Sequence, residues 1–157
     1  MPNLIRELGR TGVDVALAQG AFDIVHIGHA GYLQAARRIY PGNSVVAVGV
    51  DSDACVRANK GPTRPVNSVS DRVRMMAEFA SAGLVFAYED APRYGEPEDY
   101  HMRFRALRST TLAVAAWDPN RELKQRQTDR VGMKISFVDC ARINSTTRML
   151  RSLGYED

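Results

Sequence analysis

The run Val45–Val50, VVAVGV, has no polar side chain at any position. A strand with one face in water alternates apolar and polar residues, whereas a strand apolar on both faces has to be covered from above and below, as in a parallel sheet flanked by helices. Four further stretches can serve as its neighbours: Val13–Ala18, closed by Gly20, then Leu84–Tyr88, Thr111–Ala115 and Lys134–Val138. Between them lie segments with apolar residues at helical spacing. Leu33, Ala36 and Ile39 mark a helix over 29–40, stopped by Pro41 and Gly42, and Val73, Met76 and Phe79 mark one opened by Ser70 and Asp71 and stopped at Gly83. Leu4, Ile5 and Leu8 place a short helix ahead of the first strand, and further helices are expected over 52–58, 100–108, 119–131 and 145–153. This alternation through short connections specifies an α/β fold, a Rossmann-like doubly wound five-stranded parallel sheet in a single domain over residues 1–157. In such sheets ligands bind beyond the carboxyl ends of the strands, where strand order reverses. Motifs at strand ends therefore carry the functional information.

Composition removes several classes. With 157 residues, 45% of them hydrophobic, the chain builds a core without disulfides or structural metal. Its only cysteines, Cys55 and Cys140, form no framework and point to a reducing compartment. The first residues carry Arg6, Glu7 and Arg10 where a signal peptide needs an apolar run, and no apolar run reaches membrane-spanning length; the expected location is cytoplasmic, with no membrane partner. Of 21 basic residues 18 are Arg, but they are scattered, with no block beyond pairs such as Arg37-Arg38, so no nucleic-acid partner is expected.

Directly after the first strand stands GAFDIVHIGH, Gly20–His29, which holds two of the three histidines of the chain. His26 and His29, three apart at a helix start, project from one side of its first turn beside backbone N–H groups that lack partners within the helix. Such a turn is an anion site whose imidazoles hydrogen-bond phosphate oxygens and counter the charge on a leaving group. Gly20 and Gly28 let the backbone approach a ligand closely. Zinc is a competing use of the same histidines, but Asp23 would be the only further ligand nearby, a poor completion of the set. The pattern G-x-F-D-x-x-H-x-G-H resembles the signature of the cytidylyltransferase-like nucleotidyltransferases. That resemblance implies that His26 and His29 contact the phosphates of a nucleoside triphosphate, with Gly20, Ala21, Phe22, Asp23 and Gly28 forming the nucleotide-binding loop.

NKGPTRPVN, Asn59–Asn67, is a loop by its glycine and two prolines. It brings Lys60 and Arg64, with Arg72 behind them, near the end of the second strand. Three cations on a stiffened loop suit either a solvated surface or a polyphosphate clamp, since phosphoryl-group transfer rests on positioning and charge neutralisation. The longer run VGVDSDACVRANKGPTRPVN resembles the sugar-phosphate adenylyltransferases that make ADP-heptose, which carry a similar D-x-x-V-x-x-x-K-G-x-x-R-P-V-N. By that resemblance Lys60 steadies the transferring phosphate, Arg72 the triphosphate or acceptor side, and Arg64 is a third contact. Asp51 and Trp117 belong with Arg64 to the substrate side.

The third motif is NSTTRML, Asn144–Leu150, after the last strand. Ser145 or Thr146 suits an N-cap and leaves amides and a hydroxyl for phosphate; in the family, S-T-T follows the last strand and contacts the nucleotide, which assigns Asn144, Ser145, Thr146 and Thr147, together with Asp118, to nucleotide binding. The match breaks in three places. Ile143 and Asn144 replace the Gly and small residue that usually precede S-T-T. AAWDPN stands where the heptose enzymes carry K-G-G-D-Y, retaining only Asp118. The segment 89–108 is longer than usual and brings its own Tyr94, His101, Arg103 and Arg105.

The resemblance thus implies a nucleotidyltransferase in which an acceptor phosphate attacks the α-phosphorus of a nucleoside triphosphate, most readily ATP, and expels pyrophosphate. His26, His29, Lys60 and Arg72 form the catalytic set, and Mg²⁺ is carried by the triphosphate oxygens with no protein metal site. The expected partners are the nucleoside triphosphate, a phosphorylated small-molecule acceptor such as a heptose 1-phosphate, a second copy in a homodimer, and a separate kinase upstream. Two alternatives remain at this point: a cytidylyltransferase acting on glycerol 3-phosphate or another polyol phosphate, and a nucleotide-binding homologue without chemistry.

Overall fold

The structure, a computed structural model, describes residues 1–94, 100–141 and 146–154. All five expected strands form: β1 Asp14–Gly20, β2 Ser44–Val50, β3 Leu84–Ala87, β4 Thr111–Ala115 and β5 Lys134–Val138. They make one parallel sheet in the order β3-β2-β1-β4-β5. The helices are α1 Pro2–Arg10, α2 Ile27–Arg37, α3 Asp53–Lys60, α4 Val69–Ala77, α5 His101–Ala106, α6 Arg121–Asp129 and α7 Thr146–Ser152. Among the described residues no helix is long and apolar enough to cross a membrane.

The unbroken apolar run of β2 divides its side chains between two cores. Val46, Val48 and Val50 join Ala16 and Ala18 of β1 against Leu33 and Ala36 of α2 and Met76 of α4. Ala47 joins Val15, Leu17 and Leu112 on the other face, under Ile5 of α1 and Phe104 of α5. Both faces of the sheet are thus removed from water, as a parallel sheet with such strands requires. The glycine within the run has its own reason. A Cβ at Gly49 would lie 2.4 Å from the Tyr88 ring, so only a residue without a side chain lets that ring cross β2.

Two features place the site. The chain builds outward from β1 through β2 to β3 and then returns to the other side of β1 to lay down β4, so strand order reverses between β1 and β4. The ladder is also shortest there. Seven residue pairs join β1 to β2, from Asp14↔Ser44 to Gly20↔Val50, whereas β1 meets β4 only at Ala16↔Thr111 and Leu17↔Leu112. Beyond those two rungs the carboxyl-terminal halves of β1 and β4 are unpaired with each other, which leaves a crevice at the end of β1 where the histidine turn begins.

Candidate nucleotide site

His26 is the N-cap of α2, in an extended conformation with φ −144° and ψ 170°. The Gly28 N–H donates to its Nδ1 at 3.1 Å, and the His26 N–H donates to Nδ1 of His29 at 3.2 Å. The two histidines therefore close a capping box, a task more often shared by Ser or Thr with Glu. Because Nδ1 of each ring accepts, the proton of each neutral imidazole belongs on Nε2. Each ring presents an N–H away from its own backbone. This also disfavours zinc, since a ring with both nitrogens so engaged has no lone pair left for a metal.

The rings stack with centroids 4.0 Å apart and planes 24° apart, and His29 meets Phe22 edge-on at 5.3 Å. Phe22 has φ +48°, a left-handed conformation rarely adopted by a bulky side chain. Its ring is buried beneath the turn, holding His29 from below at the cost of local backbone strain. Burial pushes the His29 pKa down to about 4, helped by the neighbouring charges of His26 and Lys60, and burial lowers His26 as well. At neutral pH both imidazoles are uncharged donors. Lys60 is exposed at the last position of α3, close enough for its charge to act on His29. Thus His26, His29 and Lys60 come together as expected.

Arg64 and Arg72 do not stand in the crevice beside them. Arg64 donates through Nε to Asp23 at 2.8 Å and pairs through Nη2 with the same carboxylate at 2.6 Å, both side chains being buried. Asp23 also accepts from the backbone N–H groups of Val66 and Asn67, while the Asn67 side chain donates to the Asp23 carbonyl at 2.6 Å. Burial alone would raise the Asp23 pKa, but the Asn67 and Val66 amides and the Arg64 guanidinium together hold it below the usual carboxylate range. Arg72, in α4, has no exposed surface. It donates to the carbonyls of Ala21 and Asn67 and pairs with Asp53 at 2.6 Å. Arg64 and Arg72, expected at the phosphates, and Asp23, expected at the nucleotide, are here joined in a shared structural task. Together they rivet the loop that follows Lys60 onto the turn that carries the histidines, for buried cations in low dielectric must be paired.

Asp51, expected on the substrate side, is equally engaged. Asp51 follows β2, with its N–H donated to the Gly20 carbonyl at 2.9 Å, and its carboxylate accepts from Arg103 Nη1 at 2.8 Å and from the Tyr94 hydroxyl at 2.7 Å. Arg103 binds Asp90 through a second nitrogen at 2.7 Å and lies 3.6 Å above the Tyr88 ring, the ring that Gly49 admits. Segment 90–94 is tied to α3 by Ser52 Oγ to the Asp90 carbonyl, Asn59 Nδ2 to the Pro92 carbonyl and the Tyr94 N–H to Asn59 Oδ1. Asp51, expected on the substrate side, is buried and anchors this strap. The partnership of Asp51 with Arg103, 52 positions apart, has no local spacing to reveal it; the surplus of acids and arginines in the long 89–108 segment was its only trace.

Trp117, just beyond the end of β4, is 44% exposed, and its indole N–H donates to the Cys140 carbonyl at 2.7 Å. Asp118 accepts from the Asn120 N–H at 2.8 Å and pairs with Lys124 at 2.6 Å, so it organises the entry to α6. Thr146 and Thr147 open α7; Asn144 and Ser145 lie outside the described residues. Cys55 and Cys140 are buried free thiols. Among the described residues no three His, Cys, Asp or Glu side chains converge to hold a metal ion.

The bifunctional protein HldE of Streptomyces coelicolor is 49% identical over 79 residues, half of this chain, and that of Campylobacter fetus is 42% identical over 85 residues, or 53%. These matches span 16% and 18% of the respective relatives, so the chain corresponds to less than a fifth of their length. A lipopolysaccharide core biosynthesis protein from Thermoplasma volcanium has a similar fold, with a TM-score of 0.63 at 17% identity over 83% of this chain and 98% of that one. The sequence profile described as cytidylyltransferase-like matches residues 17–137, from the middle of β1 to the end of β5 and across both the histidine turn and the loop after Lys60. A five-stranded sheet open at its switch point, with the H-x-G-H turn capping α2 there, is thus carried by a chain that belongs to the cytidylyltransferase-like family of nucleotidyltransferases.

Proposed function

We propose that the protein transfers a nucleoside monophosphate from a nucleoside triphosphate, ATP by preference, to a sugar phosphate of the heptose 1-phosphate type. The observation that carries this reading is the reciprocal histidine cap, which aims two neutral Nε2–H donors from the switch point of the sheet with the Lys60 charge beside them. An oxygen of the acceptor phosphate attacks the α-phosphorus, the bond from that phosphorus to the bridging oxygen breaks, and pyrophosphate leaves with the electron pair. The nucleophile is already an anion, so no side chain has to remove a proton. What the protein supplies is position and charge compensation. His26 and His29 donate to the phosphate oxygens, Lys60 offsets the charge that builds up on the leaving group, and the N-terminal end of α2 adds its dipole. Their imidazoles are held by the backbone before any ligand arrives, so little reorganisation is needed at the moment of reaction.

Mg²⁺ bound by the triphosphate oxygens would lower their charge repulsion. With Asp23 held by Arg64, and Asp51 by Arg103 and Tyr94, the oxygens of the nucleotide rather than a carboxylate cage fit as its ligands. ATP is favoured over CTP by the similarity of the run up to Asn67 to adenylyltransferases and by the HldE relatives. The test is pyrophosphate release from each of ATP, CTP, GTP and UTP with heptose 1-phosphate, other sugar 1-phosphates and glycerol 3-phosphate. Release with ATP and a sugar 1-phosphate alone supports the reading. Release only with CTP and a polyol phosphate replaces it, and nucleotide binding without release for any acceptor shows a homologue that has lost the chemistry.

A further inference from the structure

Nothing in β1 or β4 forbids them from pairing to their ends. Ala18, Gln19, Ala113 and Val114 are neither proline nor bulged, and both strands pair in full register with their outer neighbours, β1 with β2 through Gly20 and β4 with β5 through Ala115. Yet the β1–β4 ladder stops at Leu17↔Leu112. The next rung would use the Ala113 carbonyl, and that carbonyl accepts instead from the Tyr32 hydroxyl, at 2.7 Å. Tyr32 lies on α2, one turn beyond His29, with its ring against the core that contains Ala18 and Ala113. The Gln19 backbone also hydrogen-bonds the phenol, on the side of β1. The hydroxyl therefore stands between a group of β1 and a group of β4 that would otherwise meet.

We infer that Tyr32 is a positioning residue, a wedge whose hydroxyl substitutes for the third β1–β4 rung and holds the crevice at the switch point open to the width a nucleotide needs. Three observations converge on this: the ladder ends where the hydroxyl enters, the hydroxyl takes the carbonyl of the missing rung, and the same helix carries the histidine cap. One geometric unit then sets both the donors and the gap they face. A tyrosine is suited to the task because its ring is rigid and its one polar atom both donates and accepts. The nucleotide part of the inference rests on the function proposed above, while the strand-opening part does not.

The test is Tyr32→Phe, which keeps the ring and its packing and removes only the wedge atom. Amide exchange at Gln19 and Ala115, whose N–H groups face the interrupted β1–β4 rung, is followed in the protein without ligand, and ATP affinity and steady-state kinetics are measured on the same sample. The expected result is a change in protection at these amides, no general change elsewhere, and a KM for ATP raised about 5- to 10-fold, the scale of one lost hydrogen bond, with kcat held within about twofold. Unchanged exchange at both amides overturns the wedge. Altered exchange with unchanged ATP affinity overturns its role in nucleotide positioning, and equal loss of stability throughout the sheet reduces Tyr32 to an ordinary core residue. Altered exchange in a protein whose wild type binds no nucleoside triphosphate would leave the strand opening in place and refute the proposed function instead.

Discussion

At the carboxyl edge of one sheet lie two polar clusters that are built on opposite principles. Around the end of β1, His26 and His29 take hydrogen bonds from the backbone through Nδ1 and keep their Nε2–H groups directed elsewhere, with exposed Lys60 alongside. Around the ends of β2 and β3, Asp51, Asp90, Arg103 and Tyr94 are joined to one another, and the buried Arg103 guanidinium faces two carboxylates and an aromatic ring. The first cluster leaves the Nε2 side of both imidazoles outside its own hydrogen bonds to the backbone. The second is complete within the protein and fixes a strap. Charge in a sequence therefore does not by itself mark a ligand site; what matters is whether its partners have already been supplied, and the Arg64–Asp23 pair extends the same lesson to the loop between the two clusters.

The contrast can be broken most severely at that loop. Arg64→Ala leaves the Asp23 carboxylate buried without its counter-charge and is expected to cost about 3–5 kcal/mol, read as a shift of the urea midpoint. A cost under about 1 kcal/mol would show that the pair is not held in the buried state described here. Acid should act next. Because the folded-state pKa of His29 is about 4 against an ordinary 6.5, the unfolded chain binds the proton more readily between these values. Stability contributed by the neutral imidazole is full above pH 6.5 and is lost as pH falls towards 4, by up to about 3 kcal/mol. His29→Gln should flatten that slope, and a slope identical to wild type would refute the assignment. The same shift predicts that triphosphate binding at pH 5.5 takes up protons, measurable as a dependence of binding enthalpy on buffer ionisation heat.

His29→Ala removes one donor of the histidine cluster and should lower kcat by at least ~100-fold, the scale seen when one charge-stabilising group is lost; undiminished turnover would remove His29 from the reaction. The smallest effect sharpens the comparison from the other side. Tyr94→Phe deletes a single hydrogen bond to Asp51, for a loss of about 1 kcal/mol of stability, and because Tyr94 belongs to the closed cluster the KM for ATP should stay within twofold. A large change in that KM would mean that the two clusters are not independent.

The strands could be read from the sequence because burial on two faces writes itself into consecutive residues, as in VVAVGV, and turn residues mark their ends. The start of α2 was displaced by two residues, from 29 to Ile27, since histidine is not among the usual N-cap residues and its capping role depends on ring geometry. The proximity of His26, His29 and Lys60 was legible because two are local and the third closes a strand-end helix. The fates of Arg64, Arg72 and Asp51 were not. Each is decided by a partner brought from elsewhere in the chain: Asp23, the Ala21 carbonyl with Asp53, and Arg103 with Tyr94. The β1–β4 opening was illegible for a similar reason, because Tyr32 sits in a helical register position like any core aromatic.

The histidine cap described above also sets a rule of length. The His29 Nδ1 can accept from the His26 amide only when the second imidazole stands at the third residue of the helix. Adding or deleting one residue between His26 and His29 would turn the second ring about 100° around the helix axis, part it from the His26 amide and leave that imidazole free to exchange its proton between nitrogens. The interval in H-x-G-H is thus a stereochemical condition on which nitrogen bears hydrogen, enforced before any substrate is present.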